Sequence, residues 1–159
     1  MKLKTLPFIL AFGLLIPVIS FAQVNIKKPA NPLPSISNKT DAAKTSPAYA
    51  EVLLQKTERL AELEALLVEY TEDYPKVREL RFETSLLQKE LDLLMAINPA
   101  EASKLSTALG KLMVRKCELD TDVWSLEKQF NDAHPDVKRA KRKAEIFQTA
   151  INEILQPLR

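Results

Sequence analysis

A chain of 159 residues, 46% hydrophobic and 28% charged, has room for one modest core, and its formal charge of +2 lacks the lysine and arginine excess that drives non-specific nucleic-acid binding. With two glycines in all, no glycine-rich phosphate loop is available, and no Ser/His/Asp arrangement can be assembled. The carboxylates fall at helical-surface spacings without the apolar setting that raises a pKa for acid catalysis, so the expectation is a protein that is not an enzyme and needs no cofactor.

The first segment reads as an export signal. Lys2 and Lys4 precede an apolar run from Leu6 to Ile19, followed by Ser20-Phe21-Ala22, the order of a signal peptide with small residues at the cut. The run is shorter than the ~20 residues of a spanning helix and carries Pro7, Gly13 and Pro17. Cleavage after Ala22 is expected, with the mature protein periplasmic or secreted. No cysteine follows at a lipobox position. Loss of Lys2 and Lys4 leaves as many basic as acidic residues. Residues 23–46 are rich in Pro, Ser and Lys, including Pro29, Pro32 and Pro34, and are expected to form a disordered linker.

Pro47 suits the first turn of a helix, where a missing N–H is tolerated. Leu53, Leu60, Leu63, Leu67 and Tyr70 follow at helical spacing, widened by Leu54 and Leu66. Glu72-Asp73-Tyr74-Pro75 is expected to stop this helix, because the residue before a proline is pushed out of the α region. A second helix is predicted from Pro75 to about Ile97, and Asn98-Pro99 is read as the cap and first turn of a third. That third helix carries Leu105, Leu109, Leu112, Lys116, Leu119, Val123, Leu126 and Phe130 in an unbroken alternation of fours and threes, a heptad seam with one polar intruder. Gly110 lies inside it, and a break or kink is expected there. The fourth helix is predicted from about Pro135 to Leu155.

The chain repeats itself. Residues 70–78, from Tyr70 through Tyr74-Pro75-Lys76-Val77 to Arg78, return at 130–138 as Phe130 through His134-Pro135-Asp136-Val137 to Lys138. Behind each proline, Val77, Leu80, Thr84, Leu87, Leu91 and Leu94 match Val137, Ala140, Ala144, Phe147, Ile151 and Ile154 in register. One helical hairpin duplicated at an offset of sixty residues accounts for this. The expected fold class is therefore all-α, with two antiparallel hairpins over residues 47–97 and 98–159 forming a four-helix bundle or a coiled-coil-like assembly. The hairpins are of opposite charge. Antiparallel pairing is expected to bring Glu62, Glu69 and Glu72 near Lys76, Arg78 and Arg81, and Asp122 and Glu127 toward Lys138, Lys141 and Arg142.

Three features are candidates for function. Both proline turns fall at one end, gathering Glu72, Asp73, Tyr74, Asp132, His134 and Asp136; His134 with Asp132 and Asp136 is a weak metal candidate, although acids before a helix are ordinary caps. The basic run Lys138, Arg139, Lys141, Arg142 and Lys143 is a candidate for membrane-surface contact, against a solvated helix face. Cys117, the only cysteine, is a candidate intermolecular thiol, against burial as a small apolar residue. Partner binding or self-association is expected to use the apolar faces: Leu60, Leu63 and Leu67; Leu87 and Leu91; Leu119, Val123 and Leu126; Phe147 and Ile151.

The segments Tyr74-Pro75-Lys76-Val77 and His134-Pro135-Asp136-Val137-Lys138, set between heptad stretches, resemble part of the periplasmic coiled-coil region of the polysaccharide chain-length determinant (co-polymerase) family. There an aromatic or His, then Pro, an acid and Val mark a helix start. The resemblance implies an extracytoplasmic helical spacer or assembly element; the family's flanking membrane helices and membrane-proximal domain have no counterpart here. The favoured reading is a non-enzymatic coiled-coil protein acting as a structural or interaction element in envelope or polysaccharide-export assembly. Its alternative is a periplasmic holdase-type helical chaperone, similar in size and hairpin content.

Overall fold

The computed structural model describes residues 42–156. The expected signal peptide and nearly all of the expected linker lie outside the described residues. Four long helices follow in chain order: α1 Pro47–Leu67, α2 Pro75–Ala96, α3 Thr107–Glu127 and α4 Pro135–Leu155, with a 3-10 turn at Pro99–Lys104. No strand occurs among the described residues.

Prolines and caps set the helix starts. Pro47, Pro75 and Pro135 each occupy a first turn. The Ser46 hydroxyl accepts from the Tyr49 N–H at 3.2 Å, and His134 Nδ1 accepts from the Asp136 N–H at 3.2 Å. Tyr74 occupies the same place before α2 but makes no side-chain cap. Two boundaries differ from expectation. Asn98-Pro99 opens only the 3-10 turn, Asn98 Oδ1 accepting from the Ala100 N–H at 3.1 Å, and α3 starts after Ser106, whose hydroxyl accepts from the Leu109 N–H at 3.3 Å. Ser106 offers a second cap, and Leu105 between them leaves the helical region at φ −76° and ψ 53°. Helix α1 also ends at Leu67 and not at Tyr70, because the Leu66 carbonyl accepts from both Glu69 (3.1 Å) and Tyr70 (2.8 Å) and closes the last turn early.

The helices pack as an all-α bundle whose hub is α3, which packs against α1, α2 and α4; α1 and α2 form the first hairpin, α3 and α4 the second. Gly110 of α3 meets Ala48 and Glu51 of α1, whereas Leu119 of α3 lines a groove of about 650 Å³ together with Ala140 of α4. Nine residues are about two and a half helical turns, so α1 and α4 flank α3 on opposite sides. Among the described residues the bundle is therefore open, with one flank of α1 and one of α4 left without a helical neighbour.

The main core joins Ala48 and Val52 of α1, Leu87, Leu91 and Leu94 of α2, Leu109, Met113 and Cys117 of α3 and Ile151 of α4. A second cluster of Leu63, Val77 and Leu80 sits under the first turn. Each fully buried leucine contributes about 1.5–3 kcal/mol relative to exposure. Gly110 causes no break, since α3 runs through it. A Cβ there would lie 2.8 Å from Glu51 Cβ and 2.9 Å from the Ala48 carbonyl oxygen, and the Ala48 N–H donates to the Leu105 carbonyl at 3.2 Å. The glycine admits the α1 backbone to close contact and does not bend the helix.

Burial reassigns most of the expected interaction faces. Leu63, Leu87, Leu91, Leu119 and Ile151 are buried inside this chain, and Leu67, Val123, Leu126 and Phe147 are partly buried. Only Leu60 of that set is exposed. A single sequence stripe of apolar residues serves the internal core first, because intramolecular packing is available at no loss of translational freedom.

Candidate functional site: the paired turns and the exposed helix flanks

The two turns are built alike. Val68–Tyr74 joins α1 to α2 and Lys128–His134 joins α3 to α4, so loop lengths and helix limits match at the sixty-residue offset. Tyr70 stacks on Tyr74 with ring centroids 4.2 Å apart, and Phe130 stacks on His134 at 4.2 Å. The Tyr70 and Phe130 N–H groups donate to the Leu66 and Leu126 carbonyls at 2.8 Å, and those of Tyr74 and His134 donate to Thr71 and Asn131 at 3.0 Å. Glu72 pairs with Arg81, and Asp132 pairs at 3.0 Å with Lys141, the equivalent residue. Val77 and Val137 both point inward and are fully buried. The turn motif Tyr74, Pro75, Val77 and His134, Pro135, Val137 is thus a folding unit that reverses the chain twice at one end.

The weak metal candidates are committed elsewhere. His134 Nδ1 already accepts the Asp136 N–H and lies 3.7 Å from Asp136 Oδ2. Asp136 pairs with Arg139, whose hydrogen bond holds the carboxyl below the ordinary carboxylate range, and Asp132 pairs with Lys141. Among the described residues no group of three or more His, Cys, Asp or Glu side chains is arranged to hold a metal ion.

The charge pairing across the turns is partly as anticipated. Lys141 meets Glu127 at 2.6 Å across the second turn, whereas Glu62 pairs with Arg59 on its own helix at 3.2 Å. Arg59 also reaches the buried Glu83 of α2 at 2.8 Å, and its hydrogen bond to Glu83 raises the guanidinium pKa. In the basic run, Arg139, Lys141 and Arg142 are in ion pairs with Asp136, Glu127 and Glu145. Those partners reduce the field available to an anionic surface.

Cys117 is 1% exposed in the main core. Burial pushes its pKa up to about 12, and the nearby Glu90 carboxylate adds to the effect. A crosslink between folded chains through this thiol would require the core to open, so of the two readings of Cys117 the structure agrees with burial as a small apolar residue. The polar intruder Lys116 has a structural partner set: it pairs with Asp120 at 2.7 Å and lies 3.8 Å from Glu90 of α2. Burial raises the Glu90 carboxyl pKa against the pull of Lys116.

Sequence reasoning missed the contact that joins the hairpins near the turns. Phe82 of α2 stacks on Trp124 of α3 at 4.7 Å with a 7° interplanar angle, and Lys128 Nζ lies 3.2 Å from the centre of the Trp124 ring. Partial desolvation, with the Arg78 cation nearby, holds the Lys128 ammonium below its ordinary range. The signal was one large aromatic outside the main stripe on each of the two helices, Phe82 on α2 and Trp124 on α3.

The exposed flanks carry large apolar side chains. On α1 these are Leu53 at 41%, Leu54 at 57% and Leu60 at 37% exposed, continued past the helix by Val68 at 84%. On α4 it is Ile146 at 56%. No family model, curated protein or solved structure matches the chain.

Proposed function

We propose that this protein is an exported, non-enzymatic helical interaction element whose partner surface is the outer flank of α1. The observation that carries the reading is that α1 is apolar on two opposite faces. Ala48, Val52 and Leu63 face the core, while Ala50, Leu54, Ala61 and Val68, flanked by Leu53 and Leu60, remain exposed. A helix apolar on both sides is expected to be covered on both sides when it works, since large contiguous apolar patches on soluble proteins mark contact sites. Export is supported by Lys2, Lys4, the Leu6–Ile19 run and the Ser20-Phe21-Ala22 cut. The turn segments that resemble the chain-length determinant family support a role as spacer or assembly element in envelope or polysaccharide-export machinery.

The same exposed leucines suit a holdase that binds unfolded clients, and one experiment separates the two. A photo-crosslinking residue replacing Leu54 in the native cell should give one discrete adduct if the flank has a defined partner. A broad spread of adducts, together with slowed aggregation of an unrelated unfolded protein at near-stoichiometric ratio, supports the holdase. Crosslink-free monomer under all conditions refutes both.

A further inference from the structure

Inside this molecule the first hairpin holds α3 with two helices, α1 through Ala48 and Glu51 and α2 through the side bearing Phe82, Leu86 and Glu90; the receiving side of α3 bears Gly110, Cys117 and Trp124. Phe82 stacks on Trp124, Glu90 lies 3.8 Å from Lys116, and Gly110 meets Ala48 and Glu51. Because the hairpins repeat at an offset of sixty residues with matching helix limits, each face has an equivalent on the other hairpin. The equivalent of the α2 face lies on α4: Arg142, Ile146 and Ala150, which line a shallow open hollow of about 310 Å³. The equivalent of the α3 face lies on α1: Ala50, Thr57 and Glu64, all exposed. The α4 and α1 flanks thus repeat the α2 and α3 sides of an interface that the chain already makes once with itself, and its α1 side, Ala48 and Glu51, recurs on α3 as the exposed Ala108 and Lys111.

We propose that the occupant of the α1 flank is the α4 flank of a second copy, so that copies stack head to tail and continue the hairpin-on-hairpin packing found within one chain. The inference rests on the interaction reading above and names its partner. Charge agrees with it. On the exposed α1 face the charges are acidic, Glu58 and Glu64, while the amino-terminal half of α4 exposes Lys138 and Lys143 together with Arg139 and Arg142, which must turn from Asp136 and Glu145 of their own helix to meet a second copy. At the repeat-equivalent position the Phe82–Trp124 stack becomes Arg142 opposite Glu64 of the next copy, a contact of opposite charge. Two copies of α1 facing each other would instead oppose like charges.

Geometry makes the interface heterologous. The two faces lie on opposite flanks of α3, so one copy can receive a neighbour on each side, and the stack grows as a chain or closes as a ring. Ala50 stands where Gly110 stands in the internal interface. Its methyl group holds the helices of two copies slightly farther apart than α1 and α3, so the contact between copies is looser than the one within the chain.

The test is sedimentation of the purified protein over a wide concentration range, with Glu64→Arg and Arg142→Glu as variants. Both positions are exposed, and circular dichroism and melting temperature confirm that each variant folds. Wild type should associate beyond a dimer, and each variant alone should associate about tenfold more weakly or less. The decisive result is an equimolar mixture of the two variants: every contact then regains opposite charges, in alternation, and assembly should return. A wild type that stays monomeric to millimolar concentration overturns the stacking, as does a symmetric dimer that neither variant weakens, or a mixture that fails to recover. A discrete Leu54 adduct containing a different protein would leave the interaction reading standing while the self-stacking falls.

Discussion

Gly110 of α3 lies so close to Ala48 of α1 that a Cβ on the glycine would stand 2.9 Å from the Ala48 carbonyl oxygen and 3.0 Å from its Cα. Replacing a helical glycine by alanine ordinarily gains about 1 kcal/mol from backbone entropy. Here the added methyl meets backbone, which cannot swing aside, and overpacking of this kind costs about 1–3 kcal/mol. The expected outcome of Gly110→Ala is a net loss of up to about 2 kcal/mol, read as a lower urea midpoint at unchanged m-value. A stabilised variant would mean that α1 and α3 are farther apart than described.

The Phe82–Trp124 stack is the link between the hairpins near the turns. Aromatic pairs add about 0.5–1.5 kcal/mol beyond their area burial, and both rings here are half-buried. Phe82→Ala should therefore destabilise by about 1–2 kcal/mol and change Trp124 fluorescence, since the indole loses its stacking partner. Lys128→Met removes the cation over the same ring and should alter the emission with little effect on stability. Unchanged fluorescence in both variants would show that Trp124 is not held between them.

Cys117 should be silent toward a thiol reagent at pH 8 in the folded protein and react at once on unfolding in guanidinium. Its pKa of about 12 against an ordinary 9.0 also fixes a sign. Between those values the unfolded thiol ionises while the folded one keeps its proton, so the unfolded state binds fewer protons and stability falls as pH rises. The contribution is up to about 1.4 kcal/mol per pH unit in that window. Cys117→Ala should flatten the alkaline slope of stability relative to wild type. Equal slopes would place the thiol in contact with water.

His134 caps α4 through Nδ1, which commits that ring nitrogen to the Asp136 N–H. Asn or Asp at 134 should preserve stability, because either can accept the same N–H, whereas Ala should lose about 0.5–2 kcal/mol. Zinc should leave the melting temperature of the wild type unchanged. A zinc-dependent rise abolished by His134→Ala would restore the metal reading.

The helices and turns were legible because their signals are local. Pro47, Pro75 and Pro135 fix helix starts through one missing N–H and a preset φ. The repeated Pro-x-Val turn specified two hairpins, and Lys141 with Glu127 follows from antiparallel pairing. The start of α3 was misplaced because Asn98-Pro99 and Ser106 are both competent caps, and only packing of Leu105 and Leu109 into the core chooses between them.

Sequence by itself determined an all-helical chain, duplicated at an offset of sixty residues, with an amino-terminal segment that reads as an export signal. Tertiary structure decided which leucines remain outside. Leu54 and Leu63 look equally apolar in a linear pattern, yet Leu63 is buried against Val77 and Leu80 while Leu54 is exposed. Periodicity states that a face is apolar but does not rank two faces of one helix, because burial depends on where α2 and α3 come to lie. The same dependence turns Gly110 from an expected kink into a point of close approach, and decides between the two readings of Cys117 in favour of core.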